Sequence, residues 1–374
     1  MMKILLTGPH GGANLGDEFI LHCIVRQCHD RGAKVTAMSM NPQETERQHA
    51  IPAILSVNLK WIRLSPLKLL REFDVVVVAG GEQIQEGRFH NPIWSLLANV
   101  WITTIVAKKS GCKVVLYAVG AERLKTRIAK RMLKTILKYS DVIAVRDEAS
   151  HAYLASQTRR DIKLVADPVF TVAPRDHKKA SKALRRNLDI SSGPIVVLCP
   201  ARGRRHSLQY VTPMVRAAIR ATSEVGGTLL VQAMEHRPVY DPSVIQMPVF
   251  DNPIIRRLPL NPFNAEELID LFAGADLVVS ARMHPLILAS TQGTPWIAIE
   301  RNSKLSNFCK TMGVPGFPSE SLDESQLLEQ MKAQLEADRS AWSSAQVNRV
   351  DTLRERAALT PKLLHESTEA GPEQ

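Results

Sequence analysis

Runs of consecutive apolar residues recur along the chain, separated by stretches in which apolar positions return every three or four residues. The first half holds KILLTG, KVTAMSM, FDVVVVAGG, KVVLYAVG, VIAVRD and KLVADPVF, and the second holds PIVVLCP, GTLLVQAM, DLVVSAR and TPWIAIE. Unbroken apolar runs predict strands buried on both faces, as in parallel sheets covered by helices. Their alternation with helical patterns predicts βαβ units. The pattern pauses at the charged stretch Ala173 to Gly193, so two Rossmann-like domains with parallel sheets facing a cleft are expected. The expected boundaries are 1–172 for the first domain, 190–335 for the second, and 336–374 for a terminal helix and tail. The last ten residues, HESTEAGPEQ, read as disordered.

A length of 374 residues accommodates two cores. The formal charge of +11 favours acidic partners such as phosphorylated substrates, anionic lipid or nucleic acid. Aromatic content of only 5%, with no zinc-finger spacing or RNA-binding signature, argues against nucleic acid. Five scattered cysteines without a CxxC pair argue against a disulfide framework and for a reducing, cytoplasmic setting. MMKILLTG has too short an apolar run for a signal peptide. The uncharged stretch Asn91 to Ala107 falls short of the roughly 20 residues a bilayer span needs, so a buried helix is expected there. No cluster of His, Cys and carboxylates has metal-ligand spacing, and no metal or cofactor is expected.

The segment from Ser280 to Glu300, SARMHPLILASTQGTPWIAIE, follows a strand-like run and opens into a helical pattern. Arg282 and His284 therefore stand where a parallel strand ends and a helix begins, the edge at which open α/β sheets bind ligands. Free N–H groups at a helix N-terminus suit phosphate or carboxylate. VVLCPARGRRHS sets Arg202, Arg204 and Arg205 after another strand, where guanidinium forks grip anions or simply form a solvated basic loop. Lys304 follows the next strand. In TGPHGGANLGDEFIL, glycines including Gly16 lie between strand and helix without forming a GxGxxG or P-loop pattern. Asp17 either caps that helix or serves as a base for a sugar hydroxyl. Gly80 and Gly81 permit close ligand approach or a tight turn, and Arg146 either pairs with Asp147 or reaches an acceptor.

Two surface candidates remain. In ERLKTRIAKRMLKTILKYS, Leu124, Ile128, Leu133, Ile136 and Leu137 are expected on one face, with Arg123, Arg127, Lys130, Arg131, Lys134 and Lys138 on the other. LKWIRLSPLKLLREF alternates bulky apolar and basic residues. The two together predict either packed elements with solvated basic faces or peripheral contact with an anionic membrane surface.

NLGDE (Asn14 to Glu18), VVAGGE, AVRDEAS, ADPVF, ARMHP and GTPWIAIERNSKLSNFCKTMG, in this order, resemble the polysaccharide pyruvyl transferase family. The match runs from Lys3 to about Gly313. The resemblance implies a glycosyltransferase-B-like fold and transfer of pyruvate from phosphoenolpyruvate onto two hydroxyls of a glycan or lipid-linked sugar. A cyclic ketal forms and phosphate leaves. It implies donor contacts at Arg282, His284 and Arg202, and acceptor contacts at Asp17, Asn14 and the glycines of the first domain. Glu82 stands where the family often has a third glycine, and AVGAERL lacks the usual glycine-proline ending. A nucleotide-sugar glycosyltransferase of the same fold and a non-catalytic scaffold for glycan assembly are the competing expectations.

Overall fold

A computed structural model of the chain describes residues 1–56, 69–87, 95–202 and 208–369. It divides into two compact units: residues 1–12, 17–171 and the chain from Leu353 onward, and residues 13–16 with 172–352.

The first unit is built on β1 (Lys3–Thr7), β2 (Lys34–Ser39), β3 (Ala53–Leu55), β4 (Val75–Ala79), β5 (Lys113–Val119), β6 (Val142–Val145) and β7 (Lys163–Leu164). These lie in the order β3-β2-β1-β4-β5-β6-β7, all parallel. Its helices are α1 (Leu15–His29), α2 (Pro42–His49), α3 (Leu96–Lys109), α4 (Arg127–Tyr139) and α5 (Glu148–Ala155). The VVVVA of β4 is buried at every position, as a strand covered on both faces requires. Ser95, Thr126 and Asp147 each accept a backbone N–H in the first turn of α3, α4 and α5, satisfying donors that the helix leaves unpaired. The expected strand KLVADPVF is only two residues long. Asp167 Oδ1 takes the Val169 N–H at 3.2 Å and Pro168 has no N–H to give, so Pro168–Thr171 turns as a 3₁₀ helix.

The second unit contains β8 (Ile195–Cys199), β9 (Thr228–Val231), β10 (Ile255–Arg257), β11 (Leu277–Ser280), β12 (Trp296–Glu300) and β13 (Phe317–Pro318). Their order is β10-β9-β8-β11-β12-β13, again wholly parallel. Around them lie α6 (His177–Leu188), α7 (Val211–Glu224), α8 (Asp241–Ile245), α9 (Ala265–Gly274), α10 (Met283–Thr291), α11 (Ser303–Met312) and α12 (Glu324–Glu336). The last described helix is α13 (Arg339–Glu369). Val196, Leu198, Met214, Phe250, Val279 and Met331 are fully buried in one cluster. Each such side chain contributes roughly 1.5–3 kcal/mol of apolar burial.

The charged stretch expected to join the domains carries α6, which belongs to the second unit. His177 Nδ1 pairs with the Ala273 carbonyl at 2.8 Å and Arg175 bridges to Glu266. The expected disordered tail is helical as far as Glu369, because α13 runs on through His365. Residues 370–374 lie outside the described part.

Candidate active site

In each sheet the chain reverses its direction of winding at one place: between β1 and β4 in the first, and between β8 and β11 in the second. Loops at the carboxyl ends of strands diverge at such a switch point and leave room for a ligand. Arg202 follows β8 and Arg282 follows β11, so both arginines stand at the switch point of the second sheet. The register pairs Ser280 with Cys199 and with Ala298. Extending it sets Arg282 level with Ala201 and Glu300, with Arg202 and Arg301 one residue further along the flanking strands.

A carboxylate that the sequence motifs did not single out organises this edge. Asp241 is fully buried and accepts the Arg202 N–H at 3.1 Å, the Met234 N–H at 3.2 Å and the Glu235 N–H at 3.0 Å. It also holds Arg282 through Nε at 3.1 Å and through Nη2, a two-point ion pair. Charge-assisted forks of this kind fix a guanidinium in orientation as well as in place. The Arg202 side chain is exposed and donates to Ser243 Oγ at 2.8 Å. Arg204 and Arg205 lie outside the described residues.

His284 is the second residue of α10 and is half-buried. Its ring rests against Gly16. A methyl group at that glycine would overlap Nδ1 and Cγ of the imidazole, so the glycine is required by close approach. The segment carrying Gly16 is tied down within the second unit. Leu15 N donates to the Met234 carbonyl at 2.8 Å, His236 N donates to the Ala13 carbonyl at 2.8 Å, and Asn14 bridges Glu235. Asn14 Oδ1 accepts from Gly16 N at 3.0 Å, just ahead of α1. The capping expected of Asp17 thus falls to Asn14, and Asp17 sits inside the first turn. Asn14, Gly16, Arg202, Arg282 and His284 all gather on the second unit. Lys304 lies in the first turn of α11, three residues after Arg301.

In the first unit, Asp17 approaches the turn after β4: a Cβ at Gly81 would lie 3.5 Å from its Oδ1. Gly80 and Gly81 have φ of +48° and +67°, and Gly80 also packs closely on Ile20, so the tight-turn reading holds for both. Beneath the glycine loop lies a buried polar group that the motifs did not reveal. Glu18 accepts the Gly11 N–H at 2.7 Å and pairs with His49 Nε2 at 2.9 Å. Next to it the His10 ring is wholly buried, with neither nitrogen hydrogen-bonded among the described residues. Burial drives its pKa down to about 4; Glu18 opposes the shift and His49 adds to it. Only the density of glycine and polar residues in TGPHGGANLGDE hinted at this arrangement.

Arg146 does not gather with these residues. It is buried at the end of β6, 3.0 Å from Asp167 and 3.7 Å from Asp147, with Gly120 against its guanidinium. This is the local ion pair with an N-cap, but the stronger partner comes from ADPVF. The basic face of α4 is exposed as expected, while Leu124, Leu133, Ile136 and Leu137 are buried. Ile128 departs from the expectation at 52% exposure, because it falls one position off the stripe of Ala129, Leu133, Ile136 and Leu137. Residues 59–68 of the second surface candidate, LKWIRLSPLKLLREF, lie outside the described part. All five cysteines are buried and free. Among the described residues no helix is long and apolar enough to cross a membrane.

The fold is that of glycosyltransferase-B-like nucleotide-sugar enzymes. HepE of Anabaena, solved with UDP and glucose, superposes with a TM-score of 0.66 at 16% identity, over 99% of this chain and 100% of that one. The UDP-GlcNAc 2-epimerase of Neisseria meningitidis, bound to UDP-GlcNAc, gives 0.66 at 11%, over 98% and 100%. A glycosyltransferase of Rickettsia africae gives 0.61 at 16%, over 98% of both chains. No curated protein matches the sequence. The polysaccharide pyruvyl transferase model matches residues 14–303, and the chain belongs to this family of transferases.

Proposed function

We propose that this protein transfers pyruvate from phosphoenolpyruvate to two hydroxyls of a glycan or lipid-linked sugar precursor in the cytoplasm. The observation that carries the reading is the meeting of Arg202, Arg282 and His284 at the switch point of the second sheet. Phosphoenolpyruvate bears a carboxylate and a phosphate, and guanidinium groups complement both. Protonation of its methylene carbon makes the adjacent carbon cationic. One sugar hydroxyl adds there, and a second displaces phosphate to close the ketal. His284 is assigned the acid/base role, a contribution typically worth about 10² to 10⁴ in rate. Asp17 is assigned to the acceptor hydroxyl, while Gly80 and Gly81 are given no substrate role, because their positive φ serves the turn and Ile20 fills the space beside Gly80. Arg146 is not given a substrate role, because its charge is already met by Asp167. No cofactor beyond the donor is invoked.

Purified protein given phosphoenolpyruvate and a broad panel of acceptor glycans is expected to release phosphate, and Arg282→Ala is expected to abolish that release. Absence of release from the wild type across the panel would refute the proposal. The UDP-bound neighbours favour one other reading, a nucleotide-sugar transferase. In that case UDP or a UDP-sugar, and not phosphoenolpyruvate, would raise the melting temperature.

Contact with an anionic membrane surface fits a lipid-linked acceptor. In α4, Arg127, Lys130, Arg131, Lys134 and Lys138 are exposed beside Ile128, and the helix contains no carboxylate. Each such cation contributes about 1 kcal/mol near an anionic leaflet. Sedimentation with vesicles containing phosphatidylglycerol, but not with pure phosphatidylcholine vesicles, is expected, and Lys130→Glu/Lys134→Glu should abolish it. Equal sedimentation with both vesicle types would remove the membrane from the picture.

A further inference from the structure

Arg301 leaves β12 at the carboxyl edge of the second sheet and is only 8% exposed. Its Nε donates to the carbonyl of Ala281, the residue before Arg282, at 3.0 Å. Among the described residues its buried Nη1 has no hydrogen-bond partner and the side chain makes no ion pair. The nearby carboxylate, Asp241, is already committed to Arg282 and to three backbone N–H groups.

A buried guanidinium held by one carbonyl is an expensive feature. Removing a charge from water costs several kcal/mol unless a counter-charge and further hydrogen bonds compensate it. Burial lowers the pKa of Arg301, Tyr210 and Asp241 oppose that, and the like charge of Arg282 adds to it. A structural prop would need no charge at this point. The carbonyl of Ala281 needs only one donor, which a neutral side chain can supply. The planar fork of arginine is specifically suited to the paired oxygens of a phosphoryl group.

We infer that Arg301 binds a phosphoryl group of the donor, completing with Arg282 and Arg202 a three-arginine anion site in the second unit. This rests on the proposed function only for the donor's identity: the phosphoryl chemistry is shared by phosphoenolpyruvate and by the diphosphate of a nucleotide sugar. Asp241 neutralises one of the three cations, which leaves an excess positive charge for an incoming anion. Arg301 supplies the member that water reaches least.

Calorimetric titration and melting curves of the full-length protein test this with inorganic phosphate, phosphoenolpyruvate and UDP at constant ionic strength. The wild type should bind at least one of them. Arg301→Met should weaken that binding about tenfold or more, the loss of one charge-assisted hydrogen bond or better. Arg301→Lys, which keeps the charge but loses the fork, should fall between. Without ligand, Arg301→Met should melt no lower than the wild type, because an uncompensated buried charge has gone; a purely structural arginine predicts the reverse. Should the methionine variant fail to fold, Arg301→Lys decides, and binding equal to the wild type overturns the assignment. Unchanged affinity in a folded Arg301→Met, or a wild type that binds none of the three ligands, overturns it as well. An Arg301-dependent response to UDP and none to phosphoenolpyruvate keeps the phosphoryl site and sinks the pyruvyl donor instead.

Discussion

Gly16 illustrates how much a single position controls here. Its missing side chain lets the imidazole of His284 lie against the backbone, with Asn14 capping the turn around it. Gly16→Ala should displace the ring while leaving both sheets intact. The expected result is a fall of about 10² in kcat/KM, since acid/base catalysis depends on placement, with a melting temperature close to that of the wild type. Steady-state kinetics beside a melting curve checks this, and full activity would mean that His284 has no part in the chemistry. Asp241 acts at the same scale in a different way. Four donor groups converge on one buried carboxylate, so the Arg202 backbone and the Arg282 guanidinium keep a fixed spacing before any ligand arrives.

Between elements, the Arg146–Asp167 pair joins the end of β6 to the 3₁₀ turn after β7. Both side chains are almost wholly buried, so loss of one partner strands the other charge. Asp167→Ala should therefore destabilise the protein by about 3–5 kcal/mol in urea unfolding, far more than a surface pair would. A loss below about 1 kcal/mol would place the pair among surface-type ion pairs. The motifs AVRDEAS and ADPVF are separated in sequence, and the ion pair brings them together in space. α4 shows the opposite regime: its buried stripe fastens it to the first unit, and its cations make no ion pairs among the described residues.

At the scale of the whole molecule, His10 links the glycine loop to acid stability. Its folded pKa of about 4 lies below the ordinary value of 6.5, so the unfolded chain binds more protons between those limits. Stability should rise with pH from about 4 to 6.5 and level off above, an effect of roughly 3 kcal/mol for a single group shifted this far. Denaturant midpoints between pH 4.5 and 7 measure it, and His10→Phe should flatten the acid limb. An unchanged limb in that variant would assign the acid sensitivity elsewhere. The charge of +11 acts on a different property, the attraction of anionic ligands and surfaces.

The apolar runs alone determined two parallel sheets with their strands in sequence, because a strand covered on both faces must be apolar throughout. They also located Arg202, Arg282 and His284, since residues just past such a strand emerge at the edge where ligands bind. Missed were the short edge strands β3, β10 and β13, where two or three residues leave no period to detect. Only the tertiary structure could decide that Asp241 holds Arg282, that Gly16 meets His284, that Arg146 is occupied by Asp167, and that Arg301 is buried without an ion pair among the described residues. Each depends on residues far apart in the chain meeting at one point, and local pattern carries no information about who meets whom. Whether a charge is free or already neutralised is a property of its neighbours in space.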